Sequence, residues 1–248
     1  MIVLKSPREI ERMRTSCKMV AEILELLKEK VAPGVATIEL EELALKAAKR
    51  LKAVPAFKGY GGFPFALCCS PNDRVIHGMP NIVPLKDGDI LSIDFGILFD
   101  DYYGDAAITV PVGSVSSAVT NLMSATEKSL YLGIEKAVVG GRLFDISQAI
   151  QQYVESHEYS VVRDFVGHGI GKKLHEDPQV PNFGTSGKGV KLKPGMVLAI
   201  EPMVNQGSHG VRVLDDGWTA ITVDGRLSAH FEHTVAITSN GPDILTRI

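Results

Sequence analysis

The sequence predicts a mixed α/β protein, one domain assembled from two similar halves spanning about residues 1–115 and 116–248. Three observations predict it. Each half opens with apolar residues at helical spacing, residues 90–110 read as a strand hairpin, and one strand-forming segment recurs 107 positions later. No low-complexity linker divides the chain, so two separately folding units are the weaker expectation.

The elements follow in order. Ser6-Pro7-Arg8-Glu9 is a capping box with proline at the first helical position, and Ile10, Met13, Cys17, Val20, Ile23 and Leu27 continue it as an amphipathic helix. Ala32-Pro33-Gly34 stops it. A second helix is expected over 37–52, carrying Ile38, Leu40, Leu43, Ala47 and Leu51. Glycine- and proline-rich sequence fills 55–84, after which 90–99 reads as a buried strand, Asp100-Asp101 as a turn and 102–110 as the returning strand. The second half repeats the order, with a helix over 116–139, Gly140-Gly141, a helix over 145–157, and then loops and strands.

Composition narrows the function classes. The chain has 248 residues, 45% hydrophobic and 22% charged, which fits a soluble domain with a full core and excludes collagen, coiled coil and disorder. Lys+Arg 26 against Asp+Glu 29 leaves a net charge of −3, which offers no basic footprint for nucleic acid or an anionic membrane. Cys17, Cys68 and Cys69 form an odd set without C-x-x-C, pointing to a reducing compartment and away from a thiolate zinc site. The first residues turn charged before a signal-peptide core develops, and the uncharged stretch 106–126 is too polar for a membrane helix. A cytoplasmic location is expected.

The repeat carries chemistry. Leu85-Lys-Asp-Gly-Asp-Ile-Leu-Ser-Ile-Asp94 matches Leu192-Lys-Pro-Gly-Met-Val-Leu-Ala-Ile-Glu201, so a Lys-x-Gly turn launches an apolar strand that ends in an acid both times. A buried carboxylate loses several kcal/mol of solvation unless a cation or donors compensate. Alternation places Ile90, Ser92 and Asp94 on one face, and likewise Val197, Ala199 and Glu201, so each acid has a small neighbour two residues back. Asp105, 11 residues beyond Asp94, returns beside it across the hairpin, and Glu232 lies in a β-rich run expected next to the Glu201 strand. Four converging carboxylates repel, which argues for divalent metal rather than an acid/base pair.

Histidines complete the set. Gly167-His168-Gly169-Ile170-Gly171 is read as a loop in which glycines let the backbone bend, with His175 following in Leu174-His175-Glu176 and His77 in Ile76-His77-Gly78-Met79-Pro80. The glycines match neither the dinucleotide nor the P-loop spacing, and H-E-x-x-H is absent. An oxygen-rich set with one imidazole suits a pair of manganese-, iron-, cobalt- or zinc-like ions, and such pairs activate water for hydrolysis.

At these residues the sequence resembles the methionine aminopeptidases, in particular the short bacterial type I enzymes. The markers are His77-Gly78-Met79-Pro80, Ile93-Asp94, Tyr103-Gly104-Asp105, Gly167-His168-Gly169-Ile170-Gly171, Ile200-Glu201-Pro202-Met203 and Phe231-Glu232-His233-Thr234, spread over nearly the whole chain. The resemblance implies the pita-bread fold, two pseudo-symmetric halves with curved antiparallel sheets covered by helices. It also implies two divalent ions per chain, of cobalt, manganese, iron, zinc or nickel. Asp94, Asp105 and Glu232 would hold one ion, and Asp105, His168, Glu201 and Glu232 the other. Glu201 would serve as general base for a bridging water, His175 would stabilise the oxyanion, and His77 would position the substrate near the leaving nitrogen.

The family pattern further places Tyr60, Phe63, Cys68 and Trp218 around a slot for methionine. The implied reaction is removal of the initiator methionine from nascent chains with a small second residue, by a cytoplasmic monomer acting transiently near the ribosome. The sequence departs from its relatives at Gly96, where threonine is frequent, at Leu174, where an aromatic is frequent, and at His230, where glutamine is common. A proline-directed peptidase of the same fold is the nearest alternative, although a large extra N-terminal domain is usual there. A catalytically dead binding module would be expected to have lost ligands, yet all five are present.

Overall fold

The computed structural model describes residues 1–247. Helices α1 (Pro7–Lys28) and α2 (Thr37–Arg50) lead into short strands β1 (Val54–Pro55), β2 (Leu67–Pro71) and β3 (Arg74–Ile76), then the hairpin β4 (Ile90–Phe99) and β5 (Tyr102–Pro111). Helices α3 (Ser117–Ile134) and α4 (Leu143–Ser156) follow. The remainder is mostly strand: β6 (Ser160–Val161), β7 (Gly167–Gly169), β8 (Glu176–Val180), β9 (Val197–Ile200), β10 (Met203–Asn205), β11 (Val211–Val213), β12 (Ala220–Thr222), β13 (Ser228–His230), β14 (Glu232–Thr238) and β15 (Gly241–Ile244).

The first helix forms as its caps and spacing predict. Ser6 and Glu9 close the capping box, and Ile10, Met13, Cys17, Val20, Ile23 and Leu27 are all buried. Arg12 Nε donates to Asp100 Oδ2 at 2.6 Å, tying α1 to the hairpin turn, where Asp100 and Asp101 take the left-handed backbone of a tight hairpin.

A curled antiparallel sheet organises the rest, with path β1-β4-β5-β14-β9-β7-β8, β2 added beside β4 and β15 beside β14. The halves meet at its centre, where β5 pairs with β14. Each half contributes the same parts outward from that seam: β4 with its Lys-x-Gly turn at Gly88, and β9 with its turn at Gly195. Both glycines are in the left-handed region. Even the N-termini of the second helices agree, since Glu39 accepts from the Ala36 N–H and Asp145 from the Arg142 N–H.

Helices cover one face of the sheet. Leu91, Ile93, Phe95 and Ile97 pack against α1 and α2, and Leu198, Ile200, Val235 and Ile237 against α3 and α4. Each such side chain, removed from water, contributes about 1.5–3 kcal/mol. The opposite face is therefore the one left for chemistry. Two three-stranded sheets, β13-β10-β6 and β11-β12-β3, stand beside it. None of the described helices is long and apolar enough to cross a membrane.

Three expectations change. The helix predicted over 116–139 ends at Ile134, because Ala137 turns into the core while Val138 and Val139 stay exposed; an apolar run looks periodic either way. The helix predicted over 37–52 ends at Arg50, and Lys52 is left-handed. His168 lies in strand β7 rather than a loop. Its flanking glycines serve close packing, since a Cβ at Gly167 would sit 2.4 Å from the Ala199 carbonyl oxygen and one at Gly169 2.2 Å from that of Asp177.

Gly104 marks where α1 presses on β5. A Cβ there would meet the Cys17 backbone nitrogen at 2.7 Å and its Cα at 2.9 Å, and main chain cannot swing aside as a side chain can. Gly104→Ala is expected to destabilise the protein by about 1–3 kcal/mol in urea unfolding. An unchanged midpoint would show that α1 has slack.

Candidate metal centre

Strand register brings the predicted ligands together. Residues opposed in an antiparallel ladder share a face, and Asp94 opposes Ala107, which in turn opposes Glu232. Asp105 opposes Gly96 one step along the same face, so Asp94 and Asp105 are diagonal neighbours instead of lying directly side by side. On the other half, His168 and Thr234 both oppose Ala199, and Glu201 stands two residues further along that face. All five predicted ligands line one cavity of about 300 Å³.

The small residues between them make the room. Ala107 and Ala199 separate the acidic side chains, and Ser92 turns its hydroxyl to Thr109 at 2.8 Å. Gly96 is tighter than it looks: a Cβ there would stand 2.9 Å from Phe57 and 3.1 Å from Asp105 Oδ1. Thr234 stitches the seam by donating to the Asp105 carbonyl at 2.7 Å and accepting from its N–H at 3.2 Å.

Electrostatics shows what the face requires. Asp105 and Glu232 are 4% and 3% exposed, and Asp94 and Glu201 keep only a narrow edge towards the cavity. Burial pushes Asp94 up to about 7 and Glu201 up to about 8, and burial together with the neighbouring carboxylates raises Asp105 and Glu232 well above the usual range. Oxygens Asp94 Oδ1, Asp105 Oδ1 and Glu232 Oε1 are buried without a hydrogen-bond partner. Orphaned anionic oxygens facing one another are the donor set of a cation site.

His168 fits the same set. Its Nδ1 donates to the Gly169 carbonyl at 2.9 Å, which leaves the Nε2 lone pair directed at the acids, 4.0 Å from Asp105 Oδ2 and 3.7 Å from Glu201 Oε1. Burial lowers this imidazole to about 3, so it is neutral, as a ligand must be. Among the described residues, Asp105, His168 and Glu232 offer ligand atoms within 4.8 Å of one another.

The remaining predicted site residues line the same cavity. His77 follows β3 in the left-handed conformation, packs edge-on against Phe165 with ring centres 5.7 Å apart, and is lowered to about 4, chiefly by burial. His175 stands at the mouth with Nδ1 2.7 Å from the Tyr60 hydroxyl. Cys68 opposes Asp94 from β2, its thiol kept protonated by burial, and Phe63 meets Trp218 edge-on at 5.2 Å. Trp218 is held by Asp216, which accepts from its N–H at 2.8 Å.

Sequence reasoning missed Phe57, Ile76, Asp164, Phe165 and Val166, which also line the cavity. An apolar residue next to a glycine-rich segment carries no local mark that separates cavity wall from core. Asp216 did carry a signal, as Asp215-Asp216-Gly217 before Trp218 is turn chemistry.

Comparisons with known proteins bear on the family and the fold. The model of metallopeptidase family M24 matches residues 11–239. Methionine aminopeptidase of Clostridium perfringens is 58% identical over 248 residues, covering 100% of both chains, and methionine aminopeptidase 1 of Bacillus subtilis is 53% identical over the same span. The crystal structure of the methionine aminopeptidase of Thermotoga maritima superposes with a TM-score of 0.98 at 48% identity, covering 100% of each chain. Prolidase from Pyrococcus furiosus shares the fold, with a TM-score of 0.80 at 23% identity over 99% of this chain and 66% of that one.

Two outcomes are expected. A carboxyl whose affinity for protons rises on folding destabilises the fold as pH climbs from its unfolded value to its folded one. With chelator, these acids should therefore lower stability as pH climbs from about 4 to about 8, the span between the unfolded and folded values of Asp94 and Glu201, and the fall is unopposed once unfolded-state histidines lose their protons above about pH 6.5. Added divalent ion should raise the melting temperature most at the upper end; a flat chelator profile would contradict the buried-acid account. Asp105→Ala should abolish metal uptake in calorimetry, and a variant that binds normally would remove Asp105 from the ligands.

Proposed function

The chain belongs to the methionine aminopeptidases of metallopeptidase family M24, and we propose that it removes the initiator methionine from new chains whose second residue is small. One observation carries the reading: a single cavity joins an acidic face with one imidazole to a wall of Tyr60, Phe63, Cys68 and Trp218. Such a wall suits a linear, polarisable thioether.

In this reading Asp94, Asp105 and Glu232 would hold one divalent ion, and Asp105, His168, Glu201 and Glu232 would hold a second. Cobalt, manganese, iron, zinc and nickel are the candidates for both. Such ions, when bound, would supply Lewis acidity that activates a water near neutral pH and offsets the charge that builds on the substrate oxygen.

Side chains do the rest. Glu201, whose carboxylate lines the cavity, takes the proton from the attacking water and passes it to the departing nitrogen as the peptide bond breaks. His175, oriented by Tyr60, donates a hydrogen bond to the scissile carbonyl oxygen as it gains charge. His77, steadied by Phe165, holds the peptide near the departing nitrogen. The substrate's free α-amino group is drawn to the acidic face, which makes the enzyme an exopeptidase. The proposed setting is a monomer in the cytoplasm acting on nascent N-termini near the ribosome.

The test is hydrolysis of Met-Ala-Ser, Met-Leu-Ser and Ala-Pro-Ser, in chelator and after adding back single metals. Cleavage of the first alone, restored by metal, is expected; cleavage of Ala-Pro-Ser would move the assignment to a proline-directed peptidase. His175→Ala should keep its metal and lose turnover by roughly 100-fold, the scale of one oxyanion donor. Unchanged turnover would remove His175 from the mechanism.

A further inference from the structure

One buried imidazole beside the centre has no part in the roles above. His230, the last residue of β13, is 1% exposed, and its Nε2 has no hydrogen-bond partner. That nitrogen lies 3.6 Å from Glu201 Oε2, whereas His168 Nε2 lies 3.7 Å from Glu201 Oε1. One ring nitrogen thus faces each oxygen of the carboxylate.

The framework behind this pair is fixed. The Thr109 hydroxyl donates to the His230 carbonyl at 2.7 Å and accepts from its N–H at 2.9 Å. Its proton being committed, the Ser92 hydroxyl donates to it at 2.8 Å. Asn182 secures the other partner by donating to the Glu201 carbonyl at 3.0 Å. Both backbones are held, so the remaining freedom is in the Glu201 side chain, and a small turn of it closes the gap to a hydrogen bond. A buried ring N–H at Nε2 is a donor that must find an acceptor, and Glu201 Oε2 faces it.

We infer that His230 is a positioning residue: its Nε2–H donates to Glu201 Oε2 and holds the carboxylate with Oε1 turned to His168 and the cation site. One oxygen is thereby anchored and the other kept for the proton transfer. The inference rests on the proposed role of Glu201 as base.

His230→Leu removes the donor at similar volume, and His230→Gln restores an N–H of similar reach. With manganese added, both should take up metal as the wild type does. Turnover of Met-Ala-Ser should fall roughly 10- to 100-fold in His230→Leu, the scale of a hydrogen bond to a charged group. KM should stay within about twofold, and His230→Gln should recover most of the loss. If His230→Leu does not fold, His230→Ala with added imidazole takes its place. Independently of activity, nitrogen-edited NMR of the wild type should show a slowly exchanging His230 ring N–H that disappears in Glu201→Ala.

Wild-type turnover in His230→Leu, equal impairment in His230→Gln, loss of metal from His230→Leu alone, or no protected ring N–H would each overturn the inference. A wild type that cleaves none of the peptides while still showing that N–H would instead overturn the proposed function.

Discussion

Four carboxylates on one buried sheet face cannot all remain charged without a cation between them. Water is too scarce there to solvate them, and each raises the proton affinity of the next. A fold that keeps Asp94, Asp105, Glu201 and Glu232 together therefore accepts strain in the metal-free state and is relieved of it by binding. The other features of the site serve this arrangement: the alanines that space the acids, the hydroxyl of Thr234 across the seam, and the carbonyl that fixes the tautomer of His168.

The scaffold supplies the force that opposes this repulsion. Alternation along β4, β5, β9 and β14 gives every acid an apolar neighbour facing the helices, so the residues that pack the core also set the direction of the ligands. A slip of one residue between β5 and β14 would expose the core face and bury the acids against α1 at once, and this fixes the register more firmly than either face alone. The seam joins two copies of one design, which is why each half presents an acid at the end of the same apolar strand.

Much of this was legible because it is local. Capping boxes, helical spacing, the hairpin turn and the recurring Lys-x-Gly strand are written within a few residues of the features they specify. The four acids could be gathered because each lies in, or at the end of, a strand whose face is readable, whereas the segment around His168 reads as a loop and is a strand. Features set by distant chain were not readable in the same way. The glycines around His168 looked like freedom and are instead dictated by the Ala199 and Asp177 carbonyls. The diagonal offset of Asp94 and Asp105 depends on hairpin register, and the cavity walls at Phe57 and Phe165 depend on how remote loops settle.

Gly96 couples two parts of the site that the chemistry treats as separate. The volume a side chain would occupy there is filled by the Phe57 ring on one side and bounded by an oxygen of Asp105 on the other. Ligand sphere and apolar wall thus share a single partition one hydrogen atom thick. A threonine at this position would have to divide the space differently, so a small molecule shaped to press on Phe57 would sense residue 96 without touching it. Selective inhibition within the family could be built on that difference.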